Sequence, residues 1–391
     1  MKILHQATED LITKSKWCVY SHFDKNDIVE SYVIDALKKI KDCGFRIIFV
    51  STSRLINEED LIKLKKSASV ILNRENIGYD FGSYKSGIQF LFKNQIVPKQ
   101  LLITNDSVFG PFFDLNPIIK ESRNSDVFGM TDSVESAYHL QSYFIIYNSK
   151  VLNSDHFKNF WNSIKLIDSN TPNFKKIIIE EYEVGGTQFF IKNGFKVRAA
   201  FGIDKIIKKK LALFLSQVET SKTTAGIEID KVLIGYNPTH NYWEDLIEMG
   251  FPYIKRELLT INPTNMPIEN WPRIIENSKS YSSELIIEAL INHTGNKDFI
   301  YTSHSIHQIA EKMDEEGFVE LGLIPQFKKS LKFYQIPKSK KFIFDAQFYL
   351  SANLDVKAAI DKGEKINPIK HFLLYGRAEN RPFKLQPVKI H

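Results

Sequence analysis

Short apolar runs alternate with amphipathic segments along the first half of the chain. The apolar runs predict strands at residues 17–20, 45–50, 70–72, 101–104, 126–130 and 143–147. Between the first two of them, apolar residues recur at helical spacing from Ile28 to Ile40. Strands that alternate with helices in this way predict an α/β fold with a parallel, doubly wound sheet of the Rossmann type.

Polar clusters follow five of the predicted strands. They lie at residues 21–24, 51–53, 73–76, 105–107 and 131–133. In a parallel sheet the carboxyl ends of the strands share one edge, and ligands bind there. One such cluster alone is typical of an ordinary turn or helix cap. Five of them together predict a binding site at that edge.

The third cluster opens the segment NRENIGYDFGSYKSG at residues 73–87, which links a predicted strand to a predicted helix. Its three glycines permit a tight turn or a close approach to a ligand, and Ser83 is predicted to cap the helix. A glycine-bearing loop before a helix is a natural anion site. The alternative is an ordinary turn with Asp80 as a local cap. The neighbouring clusters favour a binding site.

Two later segments carry further candidate residues. Three glutamates precede a helix predicted at 187–192. They are Glu180, Glu181 and Glu183. Acids at the start of a helix ordinarily stabilise it through the helix dipole, which is the structural alternative for these residues. His240 lies before another predicted helix and Lys255 and Arg256 lie after it, which offers a histidine and two bases to a phosphate or a metal. Taken alone, such a histidine is more often structural.

The region after the first domain is predicted to be small and mainly helical. Three prolines indicate a boundary near residue 262, and the predicted domains are 1–262, 263–337 and 338–391. Helices are predicted at 283–292 and 305–316, with two or three short ones in the last domain. A lysine-bearing apolar segment at 206–218 predicts a surface helix that packs on the domain or lies on a membrane.

Composition describes an ordinary globular protein. Of the 391 residues 43% are hydrophobic and 25% charged, and the net charge is +6. This charge suits an anionic ligand but is too low and too dispersed for a nucleic-acid-binding protein. Cys18 and Cys43 lie in predicted core elements, which predicts buried thiols in a reducing compartment. No signal peptide or spanning segment is evident, so the predicted location is cytoplasmic, with at most peripheral membrane contact.

Five ordered motifs between residues 17 and 259 resemble a known family. They are NRENIGYDFGSYKSG, LLITNDSVFGPF, DVFGMTDSVESAYHLQSYFIIYNSKVL, YEVGGTQFF and GFPYIKRELL. This combination resembles the rhamnan synthesis protein F family of bacterial glycosyltransferases. The C-terminal FDAQFYL and NPIKHFLLYGRAENRPF are similar to a small helical module found on many polysaccharide-assembly glycosyltransferases.

The resemblance implies a GT-A-like nucleotide-sugar domain, the same doubly wound architecture that the pattern predicts. It implies transfer of a sugar, often L-rhamnose from dTDP-rhamnose, to a growing surface polysaccharide. The implied partners are a dTDP-, UDP- or GDP-linked donor and a lipid-linked or oligosaccharide acceptor, with no nucleic acid. Other assembly enzymes or the membrane surface are further implied partners.

Residue roles follow as hypotheses. Inverting transfer needs a carboxylate base, for which Glu183 is the candidate and Asp132 the rival. The predicted donor-binding residues are Asp24, Ser53, Arg74, Asn76, Gly78, Tyr79, Asp80, Lys85, Asn105, Lys255 and Arg256. Among these, Asp24 and Ser53 are expected at the nucleobase, and Lys255 and Arg256, with His240, at the phosphates.

A divalent cation is a further expectation. GT-A enzymes typically bind the metal through Asp-x-Asp, whereas the corresponding place here reads Asn105-Asp106-Ser107, with a single carboxylate. Asp106, with His240 as a second candidate ligand, is expected to hold Mg²⁺ or Mn²⁺ together with water and phosphate oxygens.

Two other classes of function compete with this interpretation. A non-catalytic glycan-assembly or scaffold protein with a degenerate nucleotide-sugar site is favoured by the missing second aspartate. A Rossmann dehydrogenase is disfavoured, because SHFDKND follows the first predicted strand in place of GxGxxG.

Overall fold

The computed structural model describes residues 1–7, 15–209, 237–264, 266, 268, 271–276, 278, 280–294, 318–320, 341–364, 366, 368–372, 375 and 381–387. The chain divides into two compact units, Met1–Glu257 and Leu258–His391. The three domains expected from the sequence stay a prediction. The helices predicted at 206–218 and 305–316 lie largely or wholly outside the described residues.

All the strands predicted from the sequence are present, together with others. In chain order they are β1 (Lys2–Gln6), β2 (Lys16–His22), β3 (Arg46–Ser51), β4 (Val70–Asn73), β5 (Gln100–Asn105), β6 (Val108–Phe109), β7 (Val127–Ser133), β8 (His139–Leu140), β9 (Phe144–Asn148), β10 (Val197–Phe201), β11 (Ile254–Lys255), β12 (Phe318–Glu320), β13 (Lys341–Phe344) and β14 (Leu385–Pro387).

The helices flank these strands in the first unit and dominate the second. They are α1 (Ser31–Asp42), α2 (Glu58–Lys65), α3 (Tyr79–Lys93), α4 (Asn116–Ser122), α5 (Ser149–Leu152), α6 (Asp155–Ser163), α7 (Phe174–Ile178), α8 (Gly185–Lys192), α9 (Pro238–Asn241), α10 (Trp243–Glu248), α11 (Arg256–Thr260), α12 (Trp271–Glu276), α13 (Glu284–Thr294), α14 (Ala346–Ala352), α15 (Leu354–Asp361) and α16 (Pro368–His371). A π-helical segment, Ile179–Val184, joins α7 to α8.

One large sheet organises the first unit, in the order β1-β4-β3-β2-β5-β9-β7-β10 with β8 paired to β7. Strands β2 to β5 are mutually parallel, and β5 and β7 both run antiparallel to β9. The carboxyl ends of β2, β3, β4, β5 and β7 therefore share one edge, where the polar clusters lie. The doubly wound α/β architecture is confirmed.

The sheet is mixed, although the sequence predicts a parallel one. β1 is antiparallel to β4, and β9 is antiparallel to both of its neighbours. β9 follows β7 after a short connection through β8, and a short connection suffices only for antiparallel strands. The apolar run of a buried strand is the same in either direction, so its pattern carries no information about orientation.

Helix α3 begins at Tyr79, one turn earlier than the sequence predicts. Gly78 lies at its N-cap with φ +81°, a left-handed conformation that glycine adopts without steric cost. The predicted capping role of Ser83 is wrong, because its hydroxyl is buried within the helix and accepts a hydrogen bond from Arg74 (Nη1–Oγ 3.2 Å). The earlier start places Asp80 in the first helical turn.

Gly87 determines how closely α3 lies on the sheet. A Cβ at this position would lie 2.4 Å from Val19 Cγ1 of the central strand β2. We therefore expect Gly87→Ala to lower the free energy of unfolding by about 1–3 kcal/mol, measured by urea denaturation. Ser86→Ala, at the adjacent half-buried position, is the control and should change it by about 0.5 kcal/mol or less. Unchanged stability of Gly87→Ala would show that α3 can move away from β2.

The second unit is mainly helical in its described residues, as the sequence predicts. Its strands β12, β13 and β14 form a small antiparallel sheet. In the first unit, Cys18 and Cys43 are both buried, as predicted.

Over the part of the chain that the structure describes, none of the helices combines the length and apolarity needed to cross a bilayer.

Candidate active site at the carboxyl edge of the sheet

Asp80 joins three elements at the carboxyl edge of the sheet. Its Oδ1 accepts a hydrogen bond from the Ser21 hydroxyl at the end of β2 (2.8 Å), and its Oδ2 accepts one from Asn105 Nδ2 at the end of β5 (2.9 Å). Burial, followed by the neighbouring Asp106 carboxylate, raises the pKa of Asp80 to about 6, although these two hydrogen bonds lower it. Asp80 thus sits at the centre of a polar network that strands and helix build together.

Asp106 lies beside a guanidinium. Its Oδ2 accepts a hydrogen bond from the backbone N–H of Phe23 (3.0 Å) and lies 3.8 Å from Arg256 Nη1. The Tyr32 hydroxyl donates to the Asp106 carbonyl oxygen (3.0 Å) and accepts from Arg256 Nη1 (3.0 Å). Arg256 is therefore held from two directions, by a carboxylate and by a phenol.

A two-strand pairing brings Lys255 and Arg256 to this edge. β11 runs antiparallel to β6, with Lys255 opposite Val108, and the Arg256 N–H donates to the carbonyl oxygen of Ser107 (2.9 Å). Lys255 Nζ lies 3.4 Å from Ser107 Oγ and 4.2 Å from the centre of the Tyr143 ring. Two cations are thereby fixed over the segment that follows β5.

The charge of Lys255 is finely balanced. Burial lowers its pKa to about 8, although the carboxylates of Glu183, Asp80 and Glu257 raise it. Lys175 adds a smaller lowering effect. Contacts connect Lys255 to both acids. Ser107 lies between Lys255 and Asn105, which donates to Asp80, and the Tyr143 ring under Lys255 follows Ser142, which donates to Glu183.

Glu183 reaches the site from the π-helical segment. Its Oε1 accepts a hydrogen bond from the Ser142 N–H just before β9 (2.6 Å). The Thr187 hydroxyl donates to the Glu183 carbonyl oxygen (3.1 Å) and accepts from the Leu140 N–H (3.1 Å). The sequence predicts three acids ahead of a helix but not the π-helical turn that carries them. Such turns are rare in proteins, and those that occur are often at functional sites. The hydrogen bond from Ser142 holds the Glu183 side chain in its direction.

Asp132 and His240 lie nearby but are engaged differently. Asp132 Oδ1 accepts from the Ile203 N–H (2.8 Å), its carboxylate accepts a hydrogen bond from Tyr138, and burial raises its pKa. His240 is buried, and burial followed by the charge of Lys255 lowers its pKa to about 4. His240 is therefore uncharged at neutral pH and offers hydrogen bonds rather than positive charge.

Two of the candidate cations brace the loop at residues 73–87. Arg74 donates to the Ser83 hydroxyl and to the carbonyl oxygen of Ile77. Lys85 donates to the carbonyl oxygens of Asn162 and Ile164. Both cationic groups thus fix main chain, and their predicted contact with the donor stays a prediction.

The other candidates line the start of the same edge. The Asp24 N–H donates to the Ser53 hydroxyl (2.9 Å), which joins the ends of β2 and β3. Asn76 is exposed in the loop, and Tyr79 is 45% exposed with φ +53°, unusual for a bulky side chain. Phe23, which sequence reasoning missed, is 43% exposed beside Asp24. Their roles in donor binding stay predictions.

The side chains at Asp106 do not fit the divalent cation expected there. Within the described residues, no group of three or more histidine, cysteine or acidic side chains is arranged to hold a metal ion. Asp106 itself faces the guanidinium of Arg256 at 3.8 Å, a fixed positive charge where a cation would bind. Fixed positive charge repels a cation more strongly in a partly buried site than in bulk water.

Most of the chain matches one protein family. The family model described as Rhamnan synthesis protein F matches residues 47–367, more than half of the chain. Virulence protein VirA of Vibrio anguillarum is 35% identical over 227 residues, which cover 56% of this chain and 71% of VirA.

Two solved structures are similar at low identity. HddC of Yersinia pseudotuberculosis is 12% identical over 43% of this chain and 100% of its own, with a TM-score of 0.27. A putative nucleotide-diphospho-sugar transferase from Desulfovibrio desulfuricans G20 is 10% identical over 48% of this chain and 80% of its own, with a TM-score of 0.28.

Proposed function

This chain belongs to the rhamnan synthesis protein F family of glycosyltransferases, and we propose that it transfers L-rhamnose from dTDP-rhamnose to a growing surface polysaccharide with inversion. The observation that supports this proposal most is the set of contacts that links Asp80, Lys255 and Glu183 at the carboxyl edge of the sheet. A doubly wound fold binds its ligands at that edge.

The donor is expected to lie along the network between β2 and β5. Lys255 and Arg256 face the diphosphate, whose negative charge grows as the glycosidic bond breaks. The Asp80 oxygens each accept one hydrogen bond from the protein and have a second lone pair for a hydroxyl of the donor. Asp24 and Ser53 are proposed to contact the nucleobase.

Glu183 is the proposed base. The acceptor hydroxyl attacks the anomeric carbon, its proton passes to Glu183, and the bond from that carbon to the diphosphate oxygen breaks. The proposed acceptor is a lipid-linked or an oligosaccharide chain. A positioned carboxylate is needed because the pKa of a sugar hydroxyl lies far above neutral pH.

A screen of nucleotide sugars tests the proposed reaction. The full chain is incubated with dTDP-rhamnose, UDP-sugars and GDP-sugars, with water or oligosaccharide as acceptor, and the released nucleoside diphosphate is measured by mass spectrometry. We expect release from dTDP-rhamnose above that from the other donors. Binding of a donor without any release would instead support the scaffold alternative, and release from another donor only would overturn the choice of rhamnose.

Binding of dTDP should weaken as the pH rises through about 8. Lys255 loses its proton in this range, since burial lowers its pKa to about 8, and a neutral amine no longer attracts a phosphate. The measurement is the Kd of dTDP by calorimetry on both sides of that pH. Lys255→Arg is the control, because its guanidinium stays charged and its Kd should change little. A flat profile in the wild type would contradict the place of Lys255 at the phosphates.

A further inference from the structure

We propose that this site binds its donor without a divalent cation, and that Arg256, positioned by Tyr32 and Asp106, supplies with Lys255 the positive charge at the diphosphate. The inference rests on the proposed function, because it presupposes a nucleotide-sugar donor. It departs from the Mg²⁺ or Mn²⁺ that the Asp106 position suggests.

The first observation is how Asp106 is used. The side chain is buried, its Oδ2 accepts the Phe23 N–H at 3.0 Å, and the same oxygen lies 3.8 Å from Arg256 Nη1. One carboxylate oxygen thus accepts a hydrogen bond from the main chain and forms an ion pair with a guanidinium. In this geometry Asp106 acts as the counter-ion of a guanidinium, and a metal at the same oxygen would be repelled by Arg256.

The second observation is the orientation of the guanidinium. Tyr32 is almost fully buried, and its ring packs edge-on against Phe109 with centroids 4.8 Å apart. Its hydroxyl donates to the Asp106 carbonyl oxygen, so its lone pair is directed to Arg256 Nη1 at 3.0 Å. Tyr32 and Asp106 therefore set the place of Arg256, whose side chain remains 26% exposed to solvent. A guanidinium fixed in this way is suited to a phosphate oxygen.

The third observation is the change of secondary structure between the two cations. β11 ends at Lys255 and α11 begins at Arg256, so the two side chains do not alternate to opposite faces as they would along a strand. Lys255 reaches Ser107 Oγ at 3.4 Å, and Arg256 reaches the neighbouring Asp106. Two adjacent cations thus face the one segment at which a metal would be expected.

Calorimetry with dTDP in excess EDTA and in excess MnCl₂ tests the inference on the full chain. We expect binding in EDTA, and no tighter binding with Mn²⁺. Arg256→Gln should weaken binding roughly 100-fold in both conditions, because a charged partner of the phosphate is lost. Arg198→Gln is the matched control, since Arg198 pairs with Glu121 away from this network, and its Kd should equal that of the wild type.

Two variants separate a counter-ion from a metal ligand. Asp106→Asn should weaken dTDP binding by the same factor in EDTA and in MnCl₂, whereas loss of a metal ligand would weaken it only with Mn²⁺. Tyr32→Phe removes only the hydroxyl and should weaken dTDP binding about tenfold. Its effect on dTMP should be smaller, and a merely structural defect would weaken both nucleotides alike.

The outcomes distinguish this inference from the proposed function. Binding that requires Mn²⁺ and is lost in Asp106→Asn only with Mn²⁺ present would overturn the cation-free site and leave the glycosyltransferase proposal standing. If dTDP, UDP and GDP all fail to bind in both conditions, the proposed function falls and the inference falls with it.

Discussion

Glu183→Gln is expected to reduce sugar transfer by roughly 10²–10⁴-fold while leaving the Kd of the donor within about twofold of the wild-type value. The Kd is compared at mildly acidic pH, because the Glu183 carboxylate raises the pKa of Lys255, which must stay charged in the variant. The amide keeps the size of the side chain, and its carbonyl oxygen can still accept the Ser142 N–H that Glu183 Oε1 accepts at 2.6 Å. What the amide lacks is the ability to take a proton from the acceptor hydroxyl. The expected loss therefore falls on the turnover number and not on binding.

Neighbouring acids provide the controls for this substitution. Glu180 lies in the same π-helical segment, half exposed and paired with Lys176, so Glu180→Gln should leave turnover unchanged. Asp132→Asn tests the rival base, whose Oδ1 already accepts the Ile203 N–H. A greater loss of turnover in Asp132→Asn than in Glu183→Gln would transfer the role of base to Asp132. Loss of donor binding in Glu183→Gln would show that Glu183 holds the donor.

Much of the sheet could be predicted from apolar runs alone. The runs at residues 45–50 and 101–104 are found as the buried strands β3 and β5 almost residue for residue. The shared polar edge followed from one physical rule, that parallel strands end on the same side. Strand direction cannot be read in this way, so the run at 143–147 predicts the strand β9 but not its antiparallel direction.

The contacts of the site were less predictable, because they depend on partners far apart in sequence. Tyr32 belongs to the apolar face of α1 by its spacing, and nothing local indicates that its hydroxyl meets Arg256, 224 positions later. Ser142 contributes through its backbone N–H, which every residue other than proline possesses. The π-helical turn at Glu183 likewise follows from packing. The sequence predicts acidic residues here, but it does not predict the orientation of their side chains.

Replacing Lys255 by methionine is expected to weaken dTDP binding and slow transfer, together by roughly 10²–10³-fold, without destabilising the fold. Methionine has a similar length and an adaptable thioether that packs well against the Tyr143 ring, which Lys255 covers at 4.2 Å. The loss reflects the missing positive charge at the diphosphate. Lys150→Met, at a surface lysine paired with Asp126, is the matched control and should leave both quantities unchanged.

The stability of the same variant separates a functional lysine from a structural one. Burial lowers the pKa of Lys255 in the folded protein to about 8, below its unfolded value, so the charged form is disfavoured by folding. The contribution of Lys255 to stability accordingly rises as the pH rises through about 8. At neutral pH, where Lys255 is charged, Lys255→Met should unfold at a temperature equal to or above that of the wild type. A clear fall in melting temperature would mean that Lys255 stabilises the fold. The cost of burying its charge would then no longer indicate that the lysine serves an anionic ligand.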